Sequence, residues 1–157
     1  KPAQAAASLR KFHRSEPAGY ILMAIGTVWF LYNLNREAIA EFALYKPYMM
    51  LGFGGIAVAA CVFVTDYLSV RGLSIVLLML ASYTLSLTRL SDSPWRLVLA
   101  LAAYVWVICG MWWLVSPWRF RDQIAWMTAT PERLRKLAIG RLAFAIFVMI
   151  LGVTVLR

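Results

Sequence analysis

Apolar residues in this chain come in unbroken runs, without the one-sided spacing of a surface helix or the alternation of a strand. Ile75-Val76-Leu77-Leu78-Met79-Leu80 is apolar on every side of a helix. Runs of this kind fill residues 19–34, 47–65, 72–87, 96–115 and 137–156. A helix rises 1.5 Å per residue, so about 20 apolar residues cross a hydrocarbon core of about 30 Å. The stretches 47–65, 96–115 and 137–156 have that length, and the other two reach it by recruiting flanking residues. A transmembrane strand would instead alternate apolar and polar positions over about ten residues. The pattern predicts an all-α integral membrane protein, a five-span helical bundle forming one domain over residues 1–157.

The connections are short, which makes consecutive spans antiparallel hairpins. Residues 36–46 have room for one interfacial turn, with Ile39, Phe42 and Ala43 on one face, and residues 66–71 form a tight turn. Ser91-Asp92-Ser93-Pro94 predicts a helix start with Ser93 as N-cap and Pro94 at the first helical position. Thr130-Pro131-Glu132 repeats that signature, with a carboxylate in the first turn. Residues 116–130 belong to neither class. After Pro117, Phe120, Ile124 and Met127 recur at i, i+4 and i+7, while Arg119, Asp122 and Gln123 lie elsewhere. This predicts an amphipathic interfacial helix in the headgroup plane. Trp118, Arg119, Phe120, Arg121, Ile124, Trp126 and Met127 are its expected contacts with lipid or a partner.

Composition closes off other classes. Hydrophobic residues make up 62% and charged residues 15%, against about 45–50% and about 25% in soluble domains. Little chain is left for a separate soluble module. The net charge of +9 does not signal nucleic acid, because no basic groove interleaved with aromatics and no zinc-finger spacing occurs. The basic residues flank the spans, where anionic lipid is the expected partner at roughly 1 kcal/mol per cation. Lys1, Arg10, Lys11, Arg14, Arg71, Arg119, Arg121, Arg133, Arg135, Lys136 and Arg141 fall on one side of a five-span layout. Arg36, Lys46, Arg89, Arg96 and Arg157 fall on the other. The excess predicts a cytoplasmic N-terminus. Residues 3–8 followed by Arg10-Lys11 do not read as a signal peptide, whose charges precede its apolar stretch.

No motif for chemistry emerges. His13, the only histidine, lies in a basic arm, and no HExxH, GxSxG or phosphate-cradling loop occurs. Cys61 and Cys109 lack a CxxC partner and read as small hydrophobes, so no metal is expected. Asp66, Arg71, Arg89, Arg96 and Arg141 sit at span ends, where long side chains snorkel. Asp66 with Arg71, and Asp92 with Arg89 or Arg96, are expected surface pairs. With no charge at mid-span, an enzyme or an ion-coupled transporter is disfavoured. Gly52, Gly54, Gly55, Ala57, Ala59 and Ala60 make 47–65 a small-residue helix, and Ser74, Ser82 and Ser86 share a face of the next. Gly52, Gly55, Ala59, Ser74, Ser82 and Ser86 are therefore the expected helix-packing residues. Trp95, Trp112, Trp113, Trp118 and Trp126 fall at membrane borders. Trp29, Tyr104 and Trp106 lie deeper, with room for a flat ligand such as a quinone or carotenoid, whose identity stays open.

Ser116-Pro117-Trp118-Arg119, then Thr130-Pro131-Glu132-Arg133-Leu134-Arg135, then a glycine-containing span ending at Arg157 resembles a small family of bacterial two-span inner-membrane proteins of uncharacterised function. Those proteins carry a Pro-x-x-Trp-Arg elbow before the final helix. The resemblance covers about the last 60 residues; it implies a bacterial cytoplasmic membrane and brings no active site. Together these features predict a non-catalytic accessory subunit of a larger bacterial membrane complex, respiratory or photosynthetic, that packs against partner subunits and holds lipid or cofactor. The alternatives are a small-molecule or lipid transporter, which requires a polar cavity, and a lipid-directed enzyme, which requires carboxylates or a histidine facing one leaflet.

Overall fold

The computed structural model describes residues 2–36, 43–89 and 93–154. They form α1 (Pro2–Phe12), α2 (Glu16–Arg36), α3 (Lys46–Phe63), α4 (Leu68–Arg89), α5 (Arg96–Val115), α6 (Pro117–Met127) and α7 (Pro131–Thr154), with no strand among the described residues. Among these residues four helices, α2 to α5, are long and apolar enough to cross a membrane. The two short apolar runs do recruit their flanks, giving helices of 21 and 22 residues. At 1.5 Å per residue each is about 30 Å long.

Proline sets several helix starts. Pro47 and Pro117 lie in the first turns of α3 and α6, and α7 opens on Pro131, positions where a missing N–H costs nothing. At α5 the outcome differs from expectation. Ser93 is not the N-cap; Trp95 occupies that position, without a side-chain cap. The Ser93 and Pro94 carbonyls accept from Arg96 and Leu97 N–H in a preceding turn, which uses up the segment read as the helix start. Asp92, Ile39 and Phe42 lie outside the described residues, and with them the Asp92 pairs and most of the expected turn at 36–46.

The core is a layer of three helices. α4 lies between α2 and α5, and four glycines set the spacing. A Cβ on Gly19 would come 2.9 Å from the Ser69 nitrogen, and one on Gly72 2.8 Å from the Met23 nitrogen. On Gly26 it would meet Ile75 Cγ2 at 2.8 Å, and on Gly110 Leu78 Cγ at 3.1 Å. These contacts pair the start of α2 with the start of α4, so the two run parallel and α3 returns outside them. α3 packs mainly on α2 and buries no residue.

That layout corrects the expected packing residues. Gly52 and Gly55 have nothing within 4 Å of a Cβ position, and Ala59 is exposed. Among the described residues they meet no neighbouring helix, because α4 pairs with α2 instead of α3. Ser74 is buried and donates to the Val70 carbonyl at 2.8 Å. Ser82 and Ser86 are exposed, and Ser86 bonds the Tyr83 carbonyl of its own helix.

At one end of the bundle α1, the turn between α3 and α4, and α6 close together. Phe120 lies 5.0 Å from the Trp113 ring and 6.1 Å from that of Phe12, over a cluster with Val70 and Ile124. Ser69 Oγ donates to the Phe12 carbonyl at 2.8 Å. Arg10 donates from Nε to Thr128 Oγ1 at 2.9 Å and from Nη2 to the Thr128 carbonyl at 3.0 Å. The chain reverses between α3 and α4 in four residues by placing Tyr67 at φ 57°. The left-handed conformation costs a non-glycine residue roughly 1–2 kcal/mol, and the Tyr67 ring stacks on His13 at 5.7 Å.

Candidate functional site, a cavity beside Arg71

α4 enters the bundle with Leu68, Ser69 and Val70 all buried. Leu68, Ser69 and Gly72 face α2, while Val70 faces α6. The remaining side of this turn belongs to Arg71, and it looks toward α3. Arg71, Ile75, Leu78 and Met79 follow at i, i+4, i+7 and i+8, one helical face. They form one wall of a cavity of about 440 Å³. Met23, Thr27 and Phe30 of α2, at i, i+4 and i+7, form the second wall. Phe53, Ile56, Ala57 and Ala60 of α3 form the third, and Leu114 of α5 closes the end near Arg71. Phe30 and Phe53 meet edge to face at 5.0 Å.

Apart from Arg71 and Thr27, every lining side chain is apolar. Arg71 is half-buried, and its Nε is buried with no hydrogen-bond partner among the described residues. The expected pair with Asp66 does not form, because Arg71 turns along the bundle instead of back over the turn. The ion pair found among the described residues is Arg121–Asp122 at 2.8 Å. A buried donor without a partner costs about 1–3 kcal/mol, more when charged. A cation with an unpaired buried donor at the mouth of an apolar cavity makes that cavity the candidate binding site.

A polar cleft of about 420 Å³ opens at the same end, lined by His13, Arg14, Glu16, Asp66 and Tyr67 among others. Partial burial, then the positive charges of Arg14 and Arg121, hold the His13 pKa below its ordinary value of 6.5, opposed by a hydrogen bond with the Arg10 backbone. A base with a depressed folded pKa binds protons better once its surroundings come apart. Its contribution to stability is therefore complete above pH 6.5 and is lost as pH falls through the lower folded value. We expect the rate of tryptic cleavage at Lys11, taken relative to the His13→Gln variant at the same pH, to rise as pH drops from 7 to 5. A pH profile identical in the variant would refute this role for His13.

The predicted contact residues of α6 divide by face. Phe120, Ile124 and Met127 are buried against the chain itself, where the rings of Phe12 and Trp113 take the place expected for acyl chains. Trp118 and Trp126 remain 50% and 57% exposed, alongside exposed Arg119 and Arg121. Arg119 lies over the Trp112 ring at 5.6 Å, and Arg133 over Trp126 at 4.8 Å. Trp29, Tyr104 and Trp106 do not line the Arg71 cavity; Trp29 packs on Tyr83 at 6.4 Å. Cys61 and Cys109 are free, and no metal-ligating group of three acidic, histidine or cysteine side chains occurs among the described residues. The Arg71 cavity was not anticipated from the sequence, although Arg71 stands four residues before Ile75 on the apolar face that became its wall. No protein family, curated protein or solved structure matches this chain.

Proposed function

We propose that this chain is a non-catalytic accessory subunit of a larger membrane complex, docked to its partners through α3. The carrying observation is the outer face of α3. A glycine inside a helix costs about 1 kcal/mol relative to alanine, and lipid contact gives nothing back for it. Close approach of another backbone does. Gly52 and Gly55 leave such a notch unfilled within 4 Å by any of the described residues, with Ala59 exposed one turn further along. A partner membrane helix is the occupant that suits it. The Arg71 cavity also favours a second reading, a lipid transporter, whereas its apolar lining disfavours a polar substrate.

In this proposal α7 is the fifth span. It has 24 residues, and Phe147 reaches Trp95, at the far end of α5, with ring centroids 6.5 Å apart. The basic arm, turn and connector, gathered at one end, support a cytoplasmic N-terminus by the positive-inside rule. The resemblance at the elbow supports a bacterial inner membrane. The docking proposal is tested by cysteines at positions 52, 55 and 59, cross-linked in native membranes. Adducts with another polypeptide are expected from these positions and not from position 57, which lines the Arg71 cavity on the other side of α3, and Gly55→Leu should release the chain from its complex on native gels. Cross-linking confined to lipid, with migration unchanged in Gly55→Leu, would end the proposal.

A further inference from the structure

The geometry points to the cavity beside Arg71 as the binding site of one anionic phospholipid, with its phosphate on the guanidinium and an acyl chain in the slot beyond. This inference stands on the chemistry of the cavity and is independent of what covers the outer face of α3. The first ground is the unsatisfied donor. Arg71 presents a charged group whose Nε is buried without a partner, and the planar guanidinium fork matches two phosphate oxygens at once. The second ground is the lining, which changes along one direction from cationic to apolar, with Thr27 the one hydroxyl among the remaining side chains. Beyond Arg71 come Ile75, Leu78 and Met79, and then the Phe30–Phe53 pair. A free inorganic anion would leave that slot unfilled, whereas an amphiphile fills both parts.

The third ground is depth. Arg71 and Met79 are eight positions apart on α4, about 12 Å at 1.5 Å per residue. One leaflet of a bilayer is about 15 Å, half of the hydrocarbon core. The slot thus has the reach of a single acyl chain entering from the leaflet at the basic end, and its volume of about 440 Å³ is in the range of ligand sites. That end also carries Arg10, Arg14, Arg119 and Arg121, a field that favours a headgroup of net negative charge over a zwitterionic one.

The test is native mass spectrometry of the full chain in mild detergent, titrated separately with phosphatidylglycerol, phosphatidylcholine and oleate. One phosphatidylglycerol per chain should be retained about tenfold more tightly than phosphatidylcholine, whose phosphate also reaches Arg71 but whose choline cation meets the surrounding positive field, at roughly 1 kcal/mol per cation. Arg71→Met should weaken it by at least about tenfold, and Arg71→Lys should restore part of the loss by returning charge without the fork. Ala57→Phe, which fills the slot with Arg71 intact, should displace the lipid as well. Arg89→Gln, at the opposite end of α4 and outside the cavity, should leave retention unchanged. Unaltered retention in Arg71→Met, equal retention of phosphatidylcholine, or preferential retention of oleate would each overturn the assignment. If Arg71→Met does not fold, Ala57→Phe decides alone, and lipid retained by that variant overturns it.

Discussion

Replacing Gly72 with valine is expected to lower the thermal midpoint of the bundle in detergent by many degrees, while the same change at Gly55 leaves its stability nearly untouched. Both positions are glycines within apolar helices, and sequence alone ranks Gly55 as the more important. The structure reverses that order. A Cβ at Gly72 meets Leu22 Cβ at 2.8 Å, the Met23 nitrogen at 2.8 Å and the Leu22 carbonyl carbon at 3.1 Å, whereas at Gly55 it meets nothing. Overpacking costs about 1–3 kcal/mol when side chains can shift. Here two of the three opposing atoms are backbone, so α2 and α4 must separate along their length, and we expect about 3 kcal/mol or more. Thermal unfolding followed by tryptophan fluorescence reads the difference. Equal midpoints for the two variants would mean that α2 and α4 do not meet at Gly72.

The second large effect is expected at Phe120. Its ring is 7% exposed between Phe12 and Trp113, and truncation of a buried phenylalanine to alanine costs about 3–5 kcal/mol. The loss falls where α1, α4 and α6 meet, so the arm should detach before the spans come apart. Phe120→Ala should therefore open residues 10–14 to trypsin while most of the helical signal persists. Trp118→Ala, two residues away on the exposed face, should leave residues 10–14 protected and the helical signal unchanged. If the two variants behaved alike, α6 would have to lie with its other face inward.

Those two residues illustrate what a single sequence makes legible. Runs such as 75–80 point to a bilayer because a chain of this size has no core large enough to bury several helices that are apolar all round, and four helices long and apolar enough to span are found among the described residues. The period of Phe120, Ile124 and Met127 likewise gave a helix with one apolar face. Periodicity, however, names the face and not its occupant: protein rings and acyl chains satisfy it equally, and here the rings of Phe12 and Trp113 occupy it. Small residues carry the same ambiguity. Glycines at 52 and 55 draw the eye by density, yet Gly19 and Gly26, seven apart on one face of α2, do the packing. Their significance depends on α2 pairing with α4, a non-consecutive partner that no local pattern encodes. Arg71 was hidden for a related reason. Position along the chain puts it at a span end, and only the direction imposed by buried Val70 and Gly72 turns it inward.

The parallel pairing of α2 with α4 also bears on how the chain is made. Gly26 emerges from the ribosome about fifty residues before Ile75, the residue that fills its notch. Throughout that interval α2 has only α3 beside it, and the groove cut by Gly19 and Gly26 is open to lipid or to the insertion machinery. Assembly must then wait for α4 to arrive and slide in beside α2, leaving α3 on the outside. A nascent chain arrested before α4 is a hairpin with its principal contact surface uncovered, the kind of intermediate that membrane quality control can recognise. The contact between α2 and α4 that defines the core layer thus cannot exist until the fourth helix has been made.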